Sequence, residues 1–293
     1  MHDELVERLY RLVLRRDPDP EAREQALRRL ADGTLSEAGL LAGLVASDEF
    51  ARVRALDDGI ALASRARKRG ERPHALTGPP GTTERVIEIP WVLARYRAEP
   101  RVVDIGFANA EPAYLAALAA AVPGEPLGVD LVEAEVPGFR AVVADARALP
   151  LEPGSVDVAF CVSTLEHVGG DQSVYGVEAE RDEEGIAATL RELNRVLDAR
   201  GRALVTVPCG AGEEHGWFVQ HDREGWNRLF AAADLYVYDQ ELYVLGPEGW
   251  HVAEDAQLGY GERGPGASAV LCSELHPGRL RHEAARRLRR LVR

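Results

Sequence analysis

The sequence predicts an α/β fold around a mostly parallel sheet, preceded by an all-helical module. Three observations predict it. From residue 101 onward, continuous apolar runs alternate with amphipathic ones, the pattern of a sheet covered by helices on both faces. Residues 3 to about 69 show only helical periodicity. Between the two, residues 71–83 carry Pro73, Gly78, Pro79, Pro80 and Gly81, the composition of a linker.

In chain order, Leu5, Leu9, Leu12 and Val13 mark the apolar side of a first helix. Asp17-Pro-Asp-Pro20 breaks it, and Pro20 suits the first turn of a second helix over residues 21–31. Ser36 caps a third, weakened by Gly39, and Ser47 a fourth that runs from Asp48 to about Arg69. Thr83 to Arg95 has the apolar spacing of a helix, with Pro90 near a kink or boundary. Strands are expected at 101–105, 126–130, 140–143, 157–162, 202–207, 235–243 and 268–274. Helices are expected at 111–121, 183–198 and 222–232, the last capped by Asp222. No helix separates the final two strands, so they are expected to pair antiparallel at one edge. The Gly-rich segment between them, 246–266, has the length of a lid, with Trp250 and His251 within it and Tyr243 beside it.

The bulk properties exclude several function classes. A chain of 293 residues with 46% apolar and 28% charged residues builds a large core. No apolar run approaches the roughly 18 residues of a membrane span. The N-terminus lacks a basic region followed by an apolar core, so no signal peptide is expected. Cys161, Cys209 and Cys272 are widely spaced and read as buried thiols. A cytoplasmic protein is the expectation. The net charge of −13 argues against nucleic-acid binding. The charge is uneven, because residues 278–293 carry seven Arg and one Glu. That tail reads as a basic amphipathic helix packing on an acidic body, without the aromatic residues of a membrane-binding helix.

Four motifs carry the chemistry. Val103-Asp104-Ile105-Gly106, with Ala108 and Asn109 beyond, is a buried strand that turns tightly into a helix N-terminus. Gly128-Val129-Asp130 puts an acid at the end of the next strand, where a carboxylate accepts ribose hydroxyls. Ala144-Asp145-Ala146 supplies a carboxylate able to accept from an adenine amino group. Ser155 to Val168 is an apolar strand that opens into the polar loop Ser163-Thr-Leu-Glu-His167. Ligands bind at such carboxyl ends in open α/β sheets.

In this order the motifs resemble the class I S-adenosylmethionine-dependent methyltransferases, over residues 84–275. Arg195 to Val207 extends the resemblance toward the small-molecule branch. It implies a Rossmann-like, seven-stranded, mostly parallel sheet and S-adenosylmethionine as cofactor, with S-adenosylhomocysteine as product. The cofactor-binding residues it implies are Glu88, Asp104, Gly106, Ala108, Asn109, Asp130, Leu131, Asp145, Ala146, Ser163 and Leu165. The first turn departs from the family's Gly-x-Gly-x-Gly, since it reads Gly106-Phe-Ala-Asn-Ala110. Ala replaces the second glycine at modest cost where φ is negative. A dinucleotide-binding domain is the main rival. Its fingerprint needs a third glycine where this chain has Glu111, whose charge also opposes a pyrophosphate.

Methyl transfer to an alcohol requires a proton acceptor, and His167, His221 and His215 are the candidates. His167 follows the fourth strand, whereas the other two lie in the aromatic run His215 to Asp222. His167, Asp171, His215, His221 and Asp222 are metal-ligand types without a metal-site spacing, so no metal is favoured. The acceptor is expected to be a small molecule, most plausibly a sugar or natural product methylated on oxygen. No nucleic acid or membrane is expected. Leu9-Tyr-Arg-Leu-Val-Leu-Arg-Arg-Asp-Pro-Asp19 with Ser47-Asp-Glu-Phe50 resembles a helical module distantly similar to phycobilisome linker domains. That resemblance implies docking, to a second copy or to a protein partner. The expected organisation is module 1–70, linker 71–83, methyltransferase domain 84–277 and tail 278–293. The rival reading is a noncatalytic binding or adaptor protein on the same fold.

Overall fold

The computed structural model describes residues 2–173, 176–177 and 181–279. The expected basic helix of the tail lies outside these residues from position 280. The chain divides into two compact units, Met1–Asp58 and Gly59–Arg293.

The first unit contains α1 (His2–Leu14), α2 (Pro20–Ala31), α3 (Glu37–Val45) and the start of α4 (Asp48–Arg69). Side chains cap these helices, Ser36 and Ser47 as expected and Asp19 in addition. Asp19 accepts from the Ala22 N–H at 2.7 Å, and Ser36 accepts from the Gly39 N–H at 3.0 Å. Ser47 Oγ accepts from the Phe50 N–H at 3.1 Å. Val6, Leu9, Tyr10 and Val13 of α1 pack with Ala26, Leu30, Leu40 and Leu44. Leu12, expected on this stripe, is 74% exposed. At about 100° per residue it points well away from the centre of the Val6–Leu9–Tyr10–Val13 face.

In the second unit the expected linker is tied to the sheet. The Leu76 N–H donates to the Tyr243 hydroxyl, the Ala75 N–H donates to Glu241, and Gly78 bridges Trp250. The elements then follow as α5 (Arg85–Arg95), β1 (Val102–Ile105), α6 (Pro112–Ala121), β2 (Leu127–Asp130), β3 (Arg140–Val143) and β4 (Val156–Val162). After them come α7 (Gly185–Val196), β5 (Leu197–Pro208), the short pair β6 (Glu213–Glu214) and β7 (Val219–Gln220), α8 (Arg223–Ala232), β8 (Leu235–Gly246), β9 (Gly249–Ala253) and β10 (Ala269–Pro277).

The central sheet has eight strands in the order β3-β2-β1-β4-β5-β10-β8-β9, one more than expected. The first five in this order run parallel. β10 inserts antiparallel between β5 and β8, so the expected antiparallel pair forms but is not the edge. The edge is β9, drawn from the segment expected to be a lid. Trp250 and Tyr243 are buried, and Trp250 Nε1 donates to the Thr82 carbonyl at 3.2 Å. Their apolar rings gain more from core burial than from a mobile loop, which removes them from a lid role. Pro90 sits inside α5 without ending it, and a Cβ on Gly59 would lie 2.6 Å from its ring.

Alternation along β1 decides what packs where. Val103 and Ile105 join Leu190, Leu193, Trp226 and Phe230 of α7 and α8 in one core cluster. Asp104 points to the other face, toward Tyr114 of α6. The sheet order reverses between β1 and β4, and this switch point opens a crevice at the strands' carboxyl ends.

Candidate active site

The crevice consists of two adjoining lobes that share part of their lining. Both reach Gly106, Asp130, Leu131, Thr164 and His167. One extends to Asp145 and Ala146, the other to Arg85, Asn109 and Ser163.

Gly106 ends β1 with φ of +82°. A Cβ there would also meet Thr164 Oγ1 at 2.2 Å. Glycine is therefore required twice over, by backbone and by space. Ala108, Asn109 and Ala110 do not share the left-handed conformation among the described residues. The missing glycines of the first turn are therefore not needed for its shape.

Asp130 closes β2. Its Oδ2 accepts from the Ala108 N–H at 3.0 Å, and its Oδ1 accepts from the Val132 N–H at 3.3 Å. The carboxylate is thus held in place at the crevice with lone pairs left over. Asp145 also reaches the crevice, but Arg147 occupies it. Oδ1 accepts from the Arg147 N–H at 2.8 Å and Nε at 3.0 Å, while Oδ2 accepts from Nε at 3.0 Å and Nη2 at 2.7 Å. These contacts hold its carboxyl below the usual range and fill its acceptor positions. The expected bond to an adenine amino group would therefore compete with Arg147.

Asp104 is buried, and its Oδ2 meets no donor within hydrogen-bond geometry. Burial pushes its carboxyl up to about 8, and the Asp130 charge adds to this, while Tyr114 pulls the other way. Leu165 is buried in the main core and does not line the crevice.

Glu88 also lies outside the crevice lining, fully buried. Its Oε1 accepts from Ser163 Oγ at 2.7 Å and its Oε2 accepts from Arg85 Nη1 at 2.8 Å. Glu88 thus orients two groups that do line the crevice. Ser163 takes φ of +44°, a strained value for a non-glycine residue, at the end of β4. The sequence reading does not single out Arg85. Its signal is the helical spacing to Glu88, three residues on, with the pair just ahead of the first strand.

Only one of the three candidate histidines lines the crevice. His167 stacks on Trp217 at 5.0 Å, and its Nδ1 is 3.2 Å from the Trp217 carbonyl. Burial drives its imidazole down to about 4. His215 is exposed, stacked on Phe218 at 4.4 Å, with its Nε2 2.9 Å from Glu213. His221 packs edge-on against Trp226 at 4.9 Å, beside the Asp222 cap of α8. Neither reaches the crevice lining. Among the described residues no group of three or more His, Cys, Asp or Glu side chains has metal-binding geometry, and all three cysteines are buried and unpaired. No helix among them is long and apolar enough to cross a membrane.

Residues 103–205 match the model of a methyltransferase domain family, and residues 1–53 match a domain of unknown function, DUF4214. No curated protein matches the chain. Among solved structures, one similar chain belongs to the complex between the Haloferax volcanii Trm112 methyltransferase activator and a methyltransferase. It is 19% identical with a TM-score of 0.46, over 75% of this chain and 98% of its own length. Another is the 1,6-didemethyltoxoflavin-N1-methyltransferase of Burkholderia thailandensis, with bound 1,6-didemethyltoxoflavin and S-adenosylhomocysteine. It is 14% identical with a TM-score of 0.44, over 92% of this chain and 90% of its own.

Proposed function

We propose that residues 84–277 form a class I S-adenosylmethionine-dependent methyltransferase acting on an oxygen of a small molecule. The observation that carries this reading is Asp130, a carboxylate fixed by the Ala108 N–H at the end of β2 beside the left-handed turn at Gly106. The match of residues 103–205 to a methyltransferase domain supports it. The residues suit the cofactor. Asp130 would accept from the ribose hydroxyls, Leu131 and Ala146 would flank the adenine, and Arg85 would pair with the methionine carboxylate. The unpartnered Asp104 Oδ2 is an acceptor beneath the same turn.

When bound, the cofactor supplies an electrophilic methyl on a sulfonium. The chain's own part is positioning, which is worth about 7–11 kcal/mol at best. Ser163, Thr164 and His167 form the wall toward the acceptor side. A sugar or other hydroxyl-rich natural product is the acceptor class that the N-terminal module's resemblance suggests. That module, whose first 53 residues match a domain of unknown function, would dock a protein partner or a second copy.

Calorimetry with S-adenosylmethionine tests the reading. The wild-type chain is expected to bind, and Asp130→Asn to lose about ten- to a hundredfold in affinity. Absence of binding by the folded wild-type chain would refute the enzyme reading and favour an adaptor on the same fold.

A further inference from the structure

Behind the Ser163–His167 wall lies a buried cluster with more acid than base. Glu84, Glu88 and Glu166 are at least nine-tenths buried around the part-exposed guanidinium of Arg85. Glu88 is committed to Arg85 and Ser163, and Glu84 Oε2 accepts from the Ala267 N–H at 3.1 Å. Glu166 differs. Its Oε2 meets no hydrogen-bond donor, and its Oε1 lies 3.8 Å from His167 Nε2. With Nδ1–H donated to the Trp217 carbonyl, the neutral His167 ring carries its lone pair on Nε2. His167 itself lines both lobes of the crevice.

We propose that Glu166, acting through His167, stores the proton freed by methyl transfer, so that the crevice holds the sulfonium cofactor with Glu166 ionised and the thioether product with Glu166 protonated. This inference rests on the proposed cofactor. Methylation of a hydroxyl forms one C–O bond and breaks one S–C bond, leaving the electron pair on sulfur. It also frees one proton. His167 Nε2 takes that proton and passes it to Glu166 Oε1, so the positive charge lost from sulfur is matched by the negative charge lost from Glu166.

The electrostatics agree with the geometry. Burial pushes the Glu166 carboxyl up to about 8, and Glu88 and Glu84 of α5 add to this while Arg85 opposes it. Among the described residues, the other titratable groups that face it are His167 on its own turn, Cys161 of β4 and Tyr260 of the segment after β9. Burial raises both Cys161 and Tyr260, which keeps them uncharged at neutral pH. A cation entering the crevice near neutral pH would therefore find a proton that it can displace.

The test compares two probes that differ only in the methyl group and its charge, S-adenosylmethionine and S-adenosylhomocysteine. Calorimetry on the full chain in buffers of different ionisation enthalpy counts the protons exchanged. Near pH 7, S-adenosylmethionine is expected to release close to one more proton than S-adenosylhomocysteine. Its affinity should weaken by up to about tenfold for each pH unit below the Glu166 value. Glu166→Gln should erase this difference while still binding S-adenosylhomocysteine, and Glu166→Asp should restore part of it. His167 imidazole resonances, followed by NMR in the unliganded chain, give a second readout should Glu166→Gln fold poorly. They are expected to shift as Glu166 ionises near pH 8. Equal proton counts for the two probes, a difference that persists in Glu166→Gln, or a His167 signal that stays flat there would overturn the proposal. Failure of both probes to bind the wild-type chain would instead overturn the cofactor assignment.

Discussion

Gly106 is where residue-scale physics is least forgiving. Its left-handed φ and the 2.2 Å approach of Thr164 Oγ1 leave no room for a side chain. Gly106→Ala is expected to cost about 1–3 kcal/mol. It should also weaken S-adenosylmethionine binding, because the same turn sets the Ala108 N–H that holds Asp130. Thermal unfolding together with calorimetry checks this, and an unchanged midpoint with unchanged affinity would contradict it. Both Gly106 and Asp130 were legible in the sequence, since each follows a short apolar strand. Glu88 was legible as a residue but not in its role. Nothing in the chain order says that its two oxygens meet Ser163 and Arg85. The same holds for Asp145, because a carboxylate two residues before an arginine gives no sign of being fully occupied by it.

At the scale of elements, β10 shows how a buried charge is kept. Glu274 is fully buried, yet it accepts from Arg97 at 3.0 Å and lies within 3.4 Å of Arg72 and Arg202 and 3.0 Å of His276. Burial alone would raise its carboxyl. The His276 hydrogen bond and the charges of Arg202 and Arg97 outweigh burial and hold it at about 2. A depressed carboxyl stabilises the fold above its unfolded value near 4.5, and that stability drains away as the pH falls toward 2. Glu274→Gln is therefore expected to cost about 1–3 kcal/mol near pH 7, since it leaves buried Arg202 with Glu99 as its carboxylate partner and removes the partner of the more exposed Arg72 and Arg97. Urea unfolding at about pH 7 and pH 3 checks this, because the gap between variant and wild type should narrow at the lower pH. A gap that stays constant would show that the carboxylate's charge is not the source. β10 also explains a difference from expectation. Its antiparallel insertion between β5 and β8 depends on pairing partners distant in sequence, whereas strand periodicity reports only local burial.

For the molecule as a whole, buried acids and bases bound the range of stability. Burial raises Glu166 and Asp104 to about 8, so each favours the folded state when protonated, and that contribution is lost as pH rises from about 4.5 through 8. His167 is lowered to about 4 and acts at the other end, where stability is lost as pH falls from about 6.5. The melting temperature is therefore expected to decline between about pH 6.5 and pH 8, less steeply in Glu166→Gln. Identical slopes would exclude Glu166 as a source. The division into Met1–Asp58 and Gly59–Arg293 leads to a further expectation. A chain lacking residues 1–46, with the Ser47 cap of α4 kept, should bind S-adenosylmethionine within about twofold of the full chain. A loss of tenfold or more in a folded product would give the helical module a part in the site.

The sequence alone determined the elements and their class. Strand and helix periodicities, the caps at Ser36, Ser47 and Asp222, and the turn at Gly106 are local consequences of burial and backbone geometry. It also placed the crevice, because a buried strand that ends in glycine and an acid leads to the carboxyl edge of a sheet. The tertiary structure decided the eighth strand, the burial of Trp250 and Tyr243, and the separation of His167 from His215 and His221. It also decided that Glu88 and Glu166 stand behind the wall instead of in it. Those outcomes depend on which distant segments pack together, and the low dielectric of such contacts sets the charge each group carries.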